Sequence, residues 1–88
     1  MQLSYDSMEI IEVMAETGNP NSVTDAGVGA LCASTAVSGA YLNVLVNASS
    51  YDDKETIKQL LDKAATLDLE AKNRCEKIQL LVRKKLKI

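Results

Sequence analysis

Gly18-Asn19-Pro20-Asn21-Ser22-Val23-Thr24-Asp25-Ala26-Gly27-Val28-Gly29-Ala30-Leu31 is the stretch on which the reading of this chain turns. Gly18 is a natural helix stop. Asn19 precedes Pro20 and is pushed towards extended backbone, so no single helix runs through. Ser22 and Asp25 stand at capping-box spacing, where a side-chain oxygen accepts an early N–H and an acid three residues on reaches back. A second helix is therefore expected to start at Asn21 or Ser22. From Ala26 to Tyr51 there is no charged residue, and Gly, Ala and Ser recur throughout. Each helix-interior glycine costs about 1 kcal/mol relative to alanine. Close approach of neighbouring backbones is the compensating gain expected here. An uncharged helix of this kind reads as a long, central, buried one. Asn47, Ser49 and Ser50 mark its end.

Working outward, residues 3 to 17 place Leu3, Met8, Ile11, Met14 and Ala15 at helical spacing, with Glu9, Glu12 and Glu16 on a neighbouring face. Downstream, a third helix is expected after Asp52 or Asp53. Its stripe is Ile57, Leu60, Leu61, Ala64, Leu67, Ala71, Cys75, Ile78 and Val82, with Glu70 and Arg74 spaced as an i,i+4 pair. At 1.5 Å per residue this helix reaches about 50 Å, so it must break, protrude or pack on another chain. The run Arg83-Lys84-Lys85-Leu86-Lys87 either complements the helix dipole or contacts an anion.

Composition narrows the class. Eighty-eight residues allow one domain or part of one. Apolar residues reach 47% but aromatics only 3%, all tyrosine, so the core is aliphatic and alanine-rich. That favours an all-α helical bundle of about three helices over a sheet. A net charge of −2 offers no basic field, so nucleic acid is not an expected partner. Cys32 and Cys75 match no metal-ligand spacing and read as two buried thiols in a reducing cytoplasm. The N-terminus lacks a basic region, and acids interrupt its apolar residues, so no leader is read there. The uncharged segment is long enough to span a bilayer. Ser34, Thr35, Ser38, Asn43, Asn47 and the scarcity of large apolar side chains argue against a membrane partner.

The block Gly18-Asn19-Pro20-Asn21-Ser22-Val23-Thr24-Asp25-Ala26-Gly27-Val28-Gly29-Ala30, followed by Gly39-Ala40-Tyr41-Leu42-Asn43-Val44-Leu45-Val46-Asn47, closely resembles the cyclodeaminase/cyclohydrolase family of folate enzymes. The resemblance covers essentially the whole chain, 1–88, as one partial domain. It is similar to the C-terminal half of the family domain and lacks the Gly-rich segment that opens it. A piece of a longer chain, a split or decayed gene, and a chain completed by a partner all fit. The resemblance implies an all-α bundle that assembles as homodimers. It implies a tetrahydrofolate derivative as substrate, with no further cofactor and no metal. It implies one of two activities: ammonia loss from formimidoyltetrahydrofolate to give methenyltetrahydrofolate, a lyase reaction, or hydrolysis of that ring to formyltetrahydrofolate. The alternative is a catalytically incomplete helical module that needs a partner supplying the missing N-terminal half.

The chain has no His, which removes the commonest general acid–base and any Ser–His or Cys–His pair. Asp25 is the one acid in the elbow and the expected catalytic carboxylate; its competing role is that of a capping acid. Asn19, Asn21 and Ser22 are expected to bind substrate, against turn and cap chemistry as the local alternative. Asn43 and Asn47, one turn apart on the second helix, either tie helices together or face ligand. Asp25 and Asn43 are five full turns apart, on one azimuth and about 27 Å apart along the axis. If both touch the substrate, it lies along the helix or a second subunit supplies one of them.

Overall fold

The computed structural model describes residues 1–87 and, for Pro20, the backbone alone. Three helices follow one another: α1, Gln2–Thr17; α2, Pro20–Ala48; and α3, Lys54–Leu86. No strand occurs among the described residues. All three pairs of helices are in contact, and α2 packs against both others. The bundle measures 52 × 19 × 14 Å, because α3 runs unbroken for 33 residues rather than folding back on itself.

The elbow is built from local chemistry. The Gly18 N–H donates to the Met14 carbonyl oxygen at 2.8 Å, closing α1. A Cβ at Gly18 would stand 2.7 Å from that same oxygen, so the backbone approach requires glycine. Asn19 is extended (φ −74, ψ 171), as its place before proline dictates. Its Oδ1 accepts the Ser22 N–H at 3.0 Å. The cap thus sits three residues earlier than the Ser22–Asp25 spacing suggested. Pro20 occupies the first helical turn, where its missing N–H costs nothing. Removing the cap in Asn19→Ala is expected to lower stability by about 1 kcal/mol in urea unfolding. An unchanged midpoint would show that the elbow is held by other contacts.

At the second turn, Asp53 caps α3. Its carboxylate accepts from the Thr56 N–H at 3.2 Å and the Thr56 hydroxyl at 2.8 Å. Arg83, Lys84 and Lys85 fill the last turn of α3, and Lys87 closes it in the left-handed conformation. That arrangement suits the negative end of the helix dipole.

The core is small-residue packing around a few larger side chains. Met8, Val23, Val37 and Ile78 are fully buried, joined by Ala15, Ala26, Ala30, Ala71, Cys75 and Val82. The backbones of α2 and α3 approach at Gly27. A Cβ there would come within 3.3 Å of Val82, and its carbonyl oxygen accepts from Gln79 Nε2 at 2.8 Å. Gly39 is different, with no atom within 4 Å of where its Cβ would stand.

Several side chains depart from the periodicity reading. In α1, Leu3 and Met14 face outward, and the inward stripe is Met8, Glu12 and Ala15. Leu60 of α3 is exposed, and Asp68 joins its buried face. Cys32 is exposed, whereas Cys75 is buried. Helix α2 buries Val23, Ala26, Gly27, Ala30 and Val37 on one side. Its opposite side, with Val28, Leu31, Leu42 and Val46, stands open within this chain. Two neighbouring helices cover only part of a helix's circumference. By length and mean hydropathy (1.4), α2 is also the one described helix apolar enough to cross a membrane.

Candidate functional site

The six site residues fall into two groups at opposite ends of α2. At its N-terminal end, Asn19 and Asn21 are exposed and Ser22 is half-buried. The Asn19 Oδ1 makes the cap and so holds the elbow, while the same side chain stays exposed to solvent. Asp25 lies in the second turn of α2, exposed, with no side-chain partner among the described residues. Moving the cap to Asn19 removes the capping-box role that competed for this carboxylate.

At the other end, Asn43 and Asn47 are exposed rather than buried. They line a cleft of about 360 Å³ where α2 turns into α3. Its apolar wall comes from Val44, Ile57, Leu60 and Leu61, and Tyr51, Asp53 and Thr56 lie at the turn. An apolar slot with a few polar groups at its rim has the usual make-up of a small-molecule site. Tyr51 and Thr56 were not singled out from sequence. Their position follows from the 48–53 turn, which folds the start of α3 over the end of α2. Within one chain, Asp25 and this cleft stay apart by five turns of α2, about 27 Å.

Between these ends lie two ionic clusters that the sequence did not announce. Arg74 does not serve the Glu70 spacing; it reaches Glu12 of α1, with Nη2 3.1 Å and Nε 3.2 Å from Oε2. Lys77 Nζ lies 2.7 Å from Oε1, an ion pair without hydrogen-bond geometry. The Arg74 guanidinium also stands 5.8 Å over the Tyr5 ring. In the second cluster, Asp68 accepts a hydrogen bond from the Ser38 hydroxyl at 2.6 Å and pairs with the Lys72 ammonium at 3.0 Å. Lys77 first, then Arg74, holds the Glu12 carboxyl below its usual range against the opposing effect of burial. Ser38 first, then Lys72, does the same for Asp68. Thr56 does so for Asp53.

All three shifts are downward, so the sign is shared. Unfolded carboxyls titrate near pH 4, and the folded ones titrate lower. Their contribution to stability is complete above about pH 5 and disappears as pH falls through the folded values. Urea midpoints should therefore be level between pH 7 and 5 and fall steeply below about pH 4. A midpoint flat down to pH 3 would contradict the buried carboxylate pairing.

Three helices and an asparagine-proline elbow that leaves one carboxylate free define a helical bundle of a particular kind. The chain belongs to the formiminotransferase-cyclodeaminase family, whose pattern it matches over residues 1–66. That span includes both the elbow and the cleft. More particularly, it is 37% identical over 79 residues to the methenyltetrahydrofolate cyclohydrolase of Methylorubrum extorquens. The alignment covers 90% of this chain and 38% of that relative. The chain thus spans less than half the length of the curated relative it matches. No solved structure gives a significant match.

Proposed function

We propose that this chain works in folate one-carbon metabolism. Its substrate would be a tetrahydrofolate derivative, converted either from the formimidoyl to the methenyl form with ammonia release or from the methenyl to the formyl form with water. The observation that carries the reading is Asp25. It lies in an elbow inside the family match, and the cap it would otherwise serve is made by Asn19. Both reactions pass through a tetrahedral carbon flanked by nitrogens and need a proton moved to or from a leaving group. A carboxylate also stabilises the delocalised charge of the methenyl cation. Asp25 is assigned both tasks. Asn19, Asn21, Ser22, Asn43 and Asn47 are assigned to substrate binding, and Asn19 also holds the elbow that presents Asn21 and Ser22. Neither reaction calls for a metal or redox group, and the cytoplasm supplies the substrate.

The ultraviolet absorbance of methenyltetrahydrofolate reports its hydrolysis directly. Turnover by the wild-type chain is expected, and Asp25→Asn should lower it at least ~100-fold while melting normally, since proton transfer contributes about 10²- to 10⁴-fold. The second reading, a non-catalytic module completed by another chain, is favoured by the 38% coverage of the relative. Equal rates for wild type and variant, or none for either, would select it.

A further inference from the structure

The cleft at the turn between α2 and α3 does not end at its apolar wall. Val44 and Leu60 also line a second hollow, of about 300 Å³, with Gln2, Lys63, Ala64 and Leu67. One groove therefore follows α3 from Thr56 to Leu67, eleven residues or about 16 Å. Leu60 stands on the ridge common to both hollows. That is why it is 53% exposed although it falls on the apolar stripe of α3. Each hollow reaches the volume of a small-molecule site, about 300 to 1,000 Å³.

The far hollow carries one charged side chain, Lys63. Leu60, Lys63, Ala64 and Leu67 follow the three- and four-residue steps of one helix face, so the lysine stands in a row that is otherwise apolar. One turn away in either direction α3 offers Gln59, Leu60, Thr66 and Leu67, none of them an acid. Asp62, its neighbour in sequence, lines a different hollow, beside Lys58. The ion pairs of α3 use Lys72, Arg74 and Lys77, and Lys63 has none among the described residues. A lysine so placed lays its stem along the apolar wall and keeps its ammonium at the rim.

We propose that this groove takes an elongated ligand whose apolar body ends in a carboxylate, with the body over Val44 and Leu60 and the carboxylate on Lys63. Charge fixes the direction. The end of the groove at the turn holds the Asp53 carboxylate, which repels an anion, and the Lys63 end attracts one. Asn43, Asn47 and Tyr51 are then left to the uncharged, polar end of the ligand. Two sources share this chemistry: the benzoylglutamate arm of a folate, and a free aliphatic carboxylate. The first rests on the folate reading above and makes Lys63 a specificity-determining residue for that substrate. The preference for an apolar body ended by an anion does not rest on it.

Equilibrium binding to the chain, read by calorimetry, tests the proposal without any step at Asp25. The probes are p-aminobenzoylglutamate and decanoate, each beside its neutral amide. At least one acid should bind at least ~10-fold tighter than its amide, the size of a hydrogen-bonded charge pair. Lys63→Glu should abolish that preference and Lys63→Arg should keep it. Lys84→Glu, the same charge change at the far end of α3, should leave it unaltered. Lys63 and Lys84 are exposed, so all three variants should keep the helical spectrum. A preference for the acid that survives Lys63→Glu overturns the proposal. So does binding of neither acid, the result if the groove is only a seam for other polypeptide. Binding of p-aminobenzoylglutamate assigns the groove to the arm of a folate. Lys63-dependent binding of decanoate alone upholds the groove and counts against the folate reading. Turnover of methenyltetrahydrofolate with a KM unchanged in Lys63→Glu overturns the role of Lys63 and leaves the folate reading standing.

Discussion

Replacing Ile78 with alanine is expected to cost about 3 to 4 kcal/mol, among the largest losses from a single truncation in the chain. Ile78 is fully buried and sits in the same core cluster as Met8, Ala71 and Cys75. Among the described residues the core holds only four large, fully buried side chains, and the rest is mostly alanine. Alanines packed backbone to backbone cannot spread to fill a lost side chain, so most of the cavity stays open. A domain of this size has about 5 to 10 kcal/mol in total. The variant should thus lose a third or more of its stability, read as a lowered urea midpoint with the slope unchanged. A shift worth less than about 1 kcal/mol would mean that this interior is not the closed core described above.

The second large effect is expected at Arg74. Arg74→Ala removes two hydrogen bonds from Glu12 Oε2 and leaves that carboxylate, only 8% exposed, with Lys77 alone. Breaking a fully buried pair costs about 3 to 5 kcal/mol. Lys77 remains and Arg74 itself reaches solvent, so about 2 kcal/mol is expected here. Glu12→Leu should cost less, although it breaks the same contacts. The freed guanidinium and ammonium can turn to water, whereas the carboxylate cannot. The difference between the two variants should shrink below about pH 4, where Glu12 takes up a proton and no longer needs a cation. The reverse order, with Glu12→Leu the worse variant at pH 7, would show that the cations and not the acid are trapped.

The two kinds of feature differ in how far apart their causes lie along the chain. The three helices, their ends and the elbow were legible because each depends on residues within a turn or two. Pro20 and Asn19 dictate the start of α2, Asp53 that of α3, and the run without charge keeps α2 continuous. Even there the cap was misplaced by three residues, because Ser22 and Asn19 offer the same chemistry and only Asn19 has the extended backbone to use it. Candidate site residues were legible as a cluster in the elbow and a pair on α2. Their separation followed from helix pitch alone.

Only the tertiary structure decided which glycine is a crossing point, which thiol is buried and which acid is enclosed. Three acids of α1 were equivalent by spacing, and Glu12 became the buried one because α3 crosses α1 at that turn. Arg74 lies 62 residues away from it and Ser38 lies 30 from Asp68. No local pattern encodes such partners, since they depend on the angle and offset at which finished helices meet. The sequence by itself determined the rods and their joints. Packing determined which face of each rod is closed, and left one face of α2 open.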